Sequence, residues 1–511
     1  MATDTKEIIT LQVGPEAGWV GTAFWNAQDP TEDTPGRANM FRECAPKTLR
    51  GGARSSGVAY APRALVLDYA RNLGSLDELV RATPDEEAEM LKRKQGTEEE
   101  QWTTPAWGEE GKRQVVHRST SAHSTSPSLR ERIQREHGIP RDILHGKGMV
   151  HWPDLLMAPI SPFSLSVVPP SAPMSHGSDG ETWMRGEEQV ETVLEGKLRH
   201  LMEEADAPQG FQVLASAGNG WGGVAYSLLD HLAEEYPRLG RIYLPLLPGP
   251  EAPGMDPLLS PCHSLVSMMN ALSTDTLLLP MAFGGSTDGV SAHPPDSPIR
   301  LYEQGSTIGM ALDLLSRTYR EDGGRMSDIF NYFSRQQAQP VLQTSLSMDW
   351  ASSKGKGYAL YPQSLLPIPS SIPGMRSNAK ISILATDSPV SNVEDWLKKS
   401  LGDRELYPSF QHHHIQLPSP YRLSPTFPLC PPHRLVCKAQ EVGSALVEMT
   451  VGGRGMRNWA RDLVAPTKDL RTRLRYASVP GEEEDVLKEA QESMISWSET
   501  CASEDDWLDS E

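Results

Sequence analysis

No stretch constrains this chain more than the one from Phe211 to Phe283, where strand and helix patterns alternate without a break. "FQVLAS" reads as a strand, and "GGVAYSLLDHLAEEY" as a helix that gathers Val224, Leu228, Leu229 and Leu232 on one face and stops near Pro237. "RIYLPLLPG" is the next strand, "HSLVSMMNAL" the next helix and "DTLLLPMAF" a further strand. Strands joined through helices run parallel, and a mainly parallel sheet has to be covered on both faces. Ligands of such sheets bind beyond the carboxyl ends of the strands. The Gly-rich "ASAGNGWGG", Ala215 to Gly223, falls between a strand and a helix, and raises the question of whether it cradles a phosphate.

The remaining segments sort around that block. "EIITLQVG" alternates Ile9, Leu11 and Val13 and ends at Gly14; "RALVLDY" carries Leu65, Val66 and Leu67 into Asp68. Both read as strands that exit into loops. From about Leu79 to Gly148 the chain is rich in Glu, Lys, Ser, Thr and His, too polar to offset its own ordering entropy, and a partly disordered insertion is expected. "ETVLEGKLRHLMEEAD" sets Val193, Leu194, Leu198, Leu201 and Met202 on one helical stripe. Arg300 to Thr450 is less regular and proline-rich, with a strand at "KISILAT", and reads as an α+β unit. In "DVLKEAQESMISW" Leu487, Ala490, Met494 and Trp497 share a helical face, and Glu482 to Asp485 stand where a helix dipole favours negative charge. A chain of 511 residues is too long for one ordinary core, and the expected division is 1–78, an insertion at 79–148, 149–299, 300–450 and a helical end with an acidic tail at 451–511.

The formal net charge of -19 argues against a broad nucleic-acid footprint, which needs clustered Lys and Arg. No apolar run approaches the roughly 20 residues of a spanning helix. "MATDTKEIITLQVG" has neither a basic segment leading into an apolar one nor an Arg-rich presequence, so a soluble cytosolic chain is expected. The cysteines are far apart and read as free thiols. Cys430, His433 and Cys437 match no regular zinc spacing, and Pro431 and Pro432 suit an irregular loop; the triple His at His412 to His414 reads as a solvated loop. No metal site is expected.

Four segments resemble tubulin in the same order. "LQVGPEAGWVGTAFWN" is similar to the N-terminal tubulin loop, "YAPRALVLDYA" to "VPRAVFVDLEP", "QGFQVLASAGNGWGGVAYSLLDHL" to the segment holding the phosphate loop "GGGTGSG", and "EDGGRMSDIFNYF" to "FDGALNVDLTEF". More closely, "EIITLQVGPEAGWVGTAFWNAQD", "QGFQVLASAGNGWGGVA", "LPLLPGP" and "YASVPGEEEDVLKEAQ" resemble the Misato family of tubulin-like proteins. The resemblance implies an α/β fold of tubulin-like kind: an N-terminal Rossmann-like parallel-sheet domain, an α+β intermediate domain and a helical C-terminal end.

The same resemblance places the nucleotide pocket at Gly14, Asp68, Gly218, Gly220, Gly222 and Gly223, and shows it altered. Such loops use glycine because backbone N–H groups must approach phosphate oxygens closely. Here the Thr and Ser positions are Gly220 and Gly222, and the indole of Trp221 stands at a glycine position. Pro15 replaces a Gln and has neither a side-chain amide nor an N–H. Asp68 is kept but the acid two positions on is Ala70, which weakens any hold on magnesium; Asp68 is equally suited to capping a helix. In the segment that α-tubulin offers to its neighbour's nucleotide, Asp328 is kept, Met326 stands for Asn, and Asn331 stands for the Glu; Asn cannot accept a proton as a general base.

The expectation is therefore a chain that does not hydrolyse GTP, whose Trp221 either packs the old pocket or faces a ligand and whose glycines serve tight turns. Gly222 and Gly223 at a helix start still offer donors to an anion, which leaves weak GTP or GDP binding open. By resemblance to Misato proteins the role is in mitochondrial distribution, morphology and inheritance, in the cytoplasm and peripherally on the mitochondrion. The alternative is a factor for microtubule assembly partnered by the cytosolic chaperonin or tubulin.

Overall fold

The computed structural model describes residues 6–28, 37–44, 59–74, 102–105, 113–116, 151–156, 158, 160–249, 255–283, 297–321, 324–334, 341–349, 360–364, 377–386, 409–417, 444–451 and 453–500. Its main sheet has seven strands: β1 (Ile8–Val13), β4 (Ala64–Tyr69), β7 (Leu165–Val168), β8 (Gly210–Ser216), β9 (Gly240–Pro248), β10 (Thr276–Leu278) and β11 (Met281–Phe283). They run in the order β10-β9-β8-β1-β4-β7, with β11 also on β9, and every pairing is parallel. The single strand expected at "DTLLLPMAF" is two short ones. Pro280 has no N–H to give to the ladder, and the pairing with β9 resumes only at Met281.

Both faces of β1 are buried, not only the one carrying Ile9, Leu11 and Val13. The second face carries Ile8, Thr10 and Gln12 and lies under helix α1 (Pro15–Ala27). Its polar groups are arranged as a row: Gln212 Nε2 donates to Thr10 Oγ1 at 3.0 Å, the Tyr319 hydroxyl donates to Gln212 Oε1, and a Cβ on Gly21 would overlap Gln12. Polar residues on the "outer" face of an alternating strand thus sit in the core: Thr10 and Gln212 are bonded to their neighbours, while Gln12 Nε2 is buried without a hydrogen-bond partner among the described residues.

On the α1 side lies a long helix, while α2 (Gly177–Met184), α3 (Gly220–Glu235) and α4 (Ser260–Ser273) cover the other face. The long helix is α5 (Pro298–Arg320), capped by Ser297, whose Oγ accepts from Arg300 N at 3.4 Å. It presses on α1 through glycines: a Cβ at Gly305 would lie 2.8 Å from the Trp19 carbonyl carbon, and one at Gly309 2.8 Å from Ala23 Cβ. The stripe predicted after Glu191 buries Val193, Leu194 and Leu198 in a π-helical stretch over Val190–Leu198 and Leu201 in the α-helical turn that follows, where Met202 is half-buried.

Beyond α5 come α6 (Met326–Ser334) and a five-stranded sheet in the order β13-β12-β16-β14-β15: β12 (Leu342–Asp349), β13 (Leu360–Ser364), β14 (Ser377–Thr386), β15 (Ser409–Gln416) and β16 (Ser444–Val451). Its Ile381, Ile383, Val447 and Met449 share a core with α5. The triple His belongs to β15, paired parallel with β14, rather than to a loop: three polar residues in succession gave no apolar alternation to mark the strand. The C-terminal helices α7 (Gly453–Val464), α8 (Leu470–Ala477) and α9 (Glu484–Thr500) join the α4 side, and Leu487, Ala490, Met494 and Trp497 are buried there as their spacing predicts.

Two small antiparallel pairs complete the described strands, β2 (Phe41–Cys44) with β3 (Ala59–Pro62) and β5 (Trp102–Pro105) with β6 (Arg113–Val116). The rest of the polar insertion, the Cys430, His433 and Cys437 group and the acidic tail lie outside the described residues. Among the described residues no cluster of His, Cys, Asp and Glu could hold a metal ion, no helix is long and apolar enough to cross a membrane, and Cys262 is a buried free thiol.

Candidate functional site

The candidate pocket residues converge at the carboxyl ends of β1, β4 and β8. Gly14 follows β1 with φ of 88°, Asp68 ends β4, and Ala217 to Gly223 lead from β8 into α3. Asn331 does not join them. Met326 packs at the amino ends of β8 and β9, where a Cβ on Gly210 would lie 2.6 Å from its sulfur, so α6 stands at the opposite end of the sheet. Asn331 and Asp328 are exposed there, and Asp328 Oδ2 accepts from Arg325 N at 3.1 Å.

A positive φ is confined to Gly14 among the pocket glycines, so only there does a turn require glycine. The others permit close approach of protein to protein. A Cβ on Gly220 would lie 2.6 Å from Met174 Cα, one on Gly223 would overlap the carbonyl of Gly177, and one on Gly218 would lie 2.6 Å from Ser260 Oγ. From the other side of the contact, a Cβ on Gly180 would overlap the carbonyl of Gly220. Helix α2 and the turn before it therefore lie directly on the start of α3.

The amides of the loop are engaged in the same closure. Gly220 N donates to Met174 O at 3.0 Å, Trp221 N to Asn219 Oδ1 at 3.1 Å, Gly222 N to Asn219 O at 3.0 Å, and Ala217 N to Leu246 O at 3.1 Å. The N–H groups of Gly220, Trp221 and Gly222, which a helix start would present to an anion, are here bonded to the protein's own oxygens. This corrects the expectation that Gly222 is a free donor.

Trp221 is 2% exposed. Its ring meets Tyr69 edge-on at 5.1 Å, and a Cβ on Gly14 would lie 2.8 Å from its Cγ. The indole fills the space against Gly14. Burying so large an apolar group stabilises the fold by roughly 1.5–3 kcal/mol relative to leaving it exposed.

Asp68 is fully buried and turned to the protein: it accepts from Trp152 Nε1 at 3.0 Å, Asn72 Nδ2 at 2.7 Å and Tyr69 N at 2.7 Å. It is not the cap of the short helix Ala70–Leu73, whose N-cap is Tyr69. Burial pushes its carboxyl up to about 7, against those three bonds, and nearby Glu16 adds to the rise. Glu16 is half-buried, accepts from the Ser216 hydroxyl, and is also raised by burial. Pro15 opens α1 at its first position, where no N–H is needed, and Ala70 is buried without a polar group to offer. Glu16, Ser216, Trp152 and Met174 were not foreseen: Met174 and Trp152 arrive from distant chain segments, whereas Glu16, beside Pro15, and Ser216, within the Gly-rich stretch, had positions in the sequence that could have marked them.

A parallel Rossmann-like sheet with a Gly-rich loop at its carboxyl ends, a long helix leading to a second sheet, and a helical end define a tubulin-like protein. Residues 169–252 match the tubulin domain, and residues 6–126 the Misato segment II tubulin-like domain. The chain is similar over these segments to the Misato group of tubulin-like proteins. It is 28% identical over 362 residues to protein misato homolog 1 of Mus musculus, covering 63% of this chain and 60% of that protein. It is 29% identical over 256 residues to protein misato of Drosophila melanogaster (46% and 43%), and 27% identical over 246 residues to protein dml1 of Aspergillus clavatus (45% and 44%). The chain spans about three fifths of the length of the mouse relative.

Proposed function

We propose that this chain is a tubulin-like protein that does not hydrolyse GTP and acts through its surface in mitochondrial distribution, morphology and inheritance, as a cytoplasmic protein peripherally associated with mitochondria. The observation that carries the first half is the closure of the cradle: Gly220 N is bonded to Met174 O, and α2 packs on the glycines a phosphate would need. The exposed Asn331 supports it, since an amide supplies no general base. The second half rests on the similarity to Misato proteins, and a peripheral association fits the lack of a spanning helix among the described residues.

Equilibrium binding of GTP and GDP with magnesium to the purified full-length chain, beside Trp221→Gly, tests the first half. The expected result is no binding by the parent; tight binding and turnover by the parent would overturn it. Depletion from cells with labelled mitochondria tests the second, with altered mitochondrial distribution expected and an unchanged network counting against it.

A further inference from the structure

Helix α8 carries the two large apolar side chains that stand exposed among the described residues, Leu470 at 67% and Leu474 at 63%. They are four residues apart, so they share one face, one above the other. The inward face of the helix is already used: Thr472 and Tyr476 are buried, and the Tyr476 ring lies 6.0 Å from that of His263. Asp469 caps the helix by accepting from Arg471 N at 2.8 Å, so α8 is an anchored helix and not a frayed end.

The charge around these leucines is opposite to that of the chain. Lys468, Arg471, Arg473 and Arg475 surround them, with Asp469 the acid within the same stretch, whereas the whole chain carries -19. Arg473 is paired with Glu484, and Arg475 with Asp256 at 3.2 Å. Lys468 and Arg471 are exposed and have no ion-pair partner among the described residues.

We propose that the outer face of α8 is a docking surface for an acidic amphipathic segment of a partner protein, in which apolar side chains one helical turn apart cover Leu470 and Leu474 while carboxylates meet Lys468 and Arg471. The strip is one turn long, the length over which a peptide helix presents two anchors. An anionic bilayer fits less well. It draws on many cations at once, and two of the four here are already neutralised by Glu484 and Asp256.

The test uses the purified full-length chain and a fluorescently labelled synthetic peptide of Glu and Ala with leucines four residues apart. The variants are Leu470→Ser with Leu474→Ser, and Lys468→Glu with Arg471→Glu. Both pairs are exposed, so the melting temperature is expected to stay at the parent's value. The parent binds the peptide; the leucine variant weakens binding about 30-fold or more, and the charge variant about tenfold with a loss of salt dependence. Equal binding by parent and variants overturns the proposal. So does leucine-dependent flotation with phosphatidylserine vesicles in the absence of peptide binding, or leucine-dependent dimerisation of the chain, which would make the occupant a membrane or a second copy.

Discussion

At Asp68 one carboxyl holds three donors, none of them a cation, and burial raises it to about 7. Its ordinary value of 3.8 applies in the unfolded chain, which therefore ionises first as pH rises. Between about pH 4 and pH 7 the unfolded state releases a proton that the folded state keeps, so this residue lowers stability as pH rises through that window, by about 4 kcal/mol at most, and below it the penalty vanishes. In Asp68→Asn the urea-unfolding free energy is expected to lose that decline. A variant whose stability follows pH as the parent's does would assign the slope to other groups. Trp221 works at the same scale: it was legible as an intruder in a glycine position, but its contact with Tyr69 was not, since Tyr69 is brought to it by the pairing of β4 with β1 and β1 with β8.

Helix α2 shows how one element closes a site that another would open. Its position depends on the C-terminal region: Glu482 Oε1 accepts from Ser178 N at 2.9 Å, lies 3.4 Å from His263 Nε2, and bonds to the Tyr476 hydroxyl. Burial alone would raise this carboxyl, but those bonds outweigh it and hold it near 2, below the ordinary 4.5. A depressed carboxyl stabilises the fold fully above its unfolded value and loses that contribution as pH falls from about 4.5 toward 2. Glu482→Gln is expected to lower stability at neutral pH by about 3 kcal/mol at most and to flatten acid unfolding in that window. Equal acid unfolding of parent and variant would show that Glu482 is not the tie. The sequence marked Glu482 as an acid near a helix start; that the helix it serves is α2, some 300 residues away in the chain, came from the docking of the end of the chain on α4.

For the whole molecule, the pocket residues and Asn331 lie at opposite ends of the sheet, so neither end can complete the other within one chain. A head-to-tail contact would bring Asn331 to the closed cradle at the position of the tubulin Glu, with Asp328 three residues before it on the same helix. Sedimentation of the purified chain is therefore expected to be the same in GTP and in GDP, and nucleotide-dependent pelleting would restore a tubulin-like assembly cycle. Two cores, one on each face of the main sheet, bind the helices and the five-stranded sheet to this frame, with α5 between the two sheets.

The alternation from Phe211 to Phe283, and the stripes of α3 and α9, determined by themselves that there would be a parallel sheet with helices on it, because each pattern can bury its apolar atoms in only one kind of element. The Gly-rich loop likewise announced its place. Tertiary structure alone decided what the loop does. The glycines read as turn residues because the sequence shows the absence of a Cβ but not what approaches in its stead, and at Gly220 and Gly223 the approaching group is the backbone of Met174 and Gly177. The polar row of Thr10, Gln12 and Gln212 was hidden for the same reason: a polar residue in an alternating strand points to water unless helices lie over it, here α1 and the distant α5, whose Tyr319 bonds Gln212.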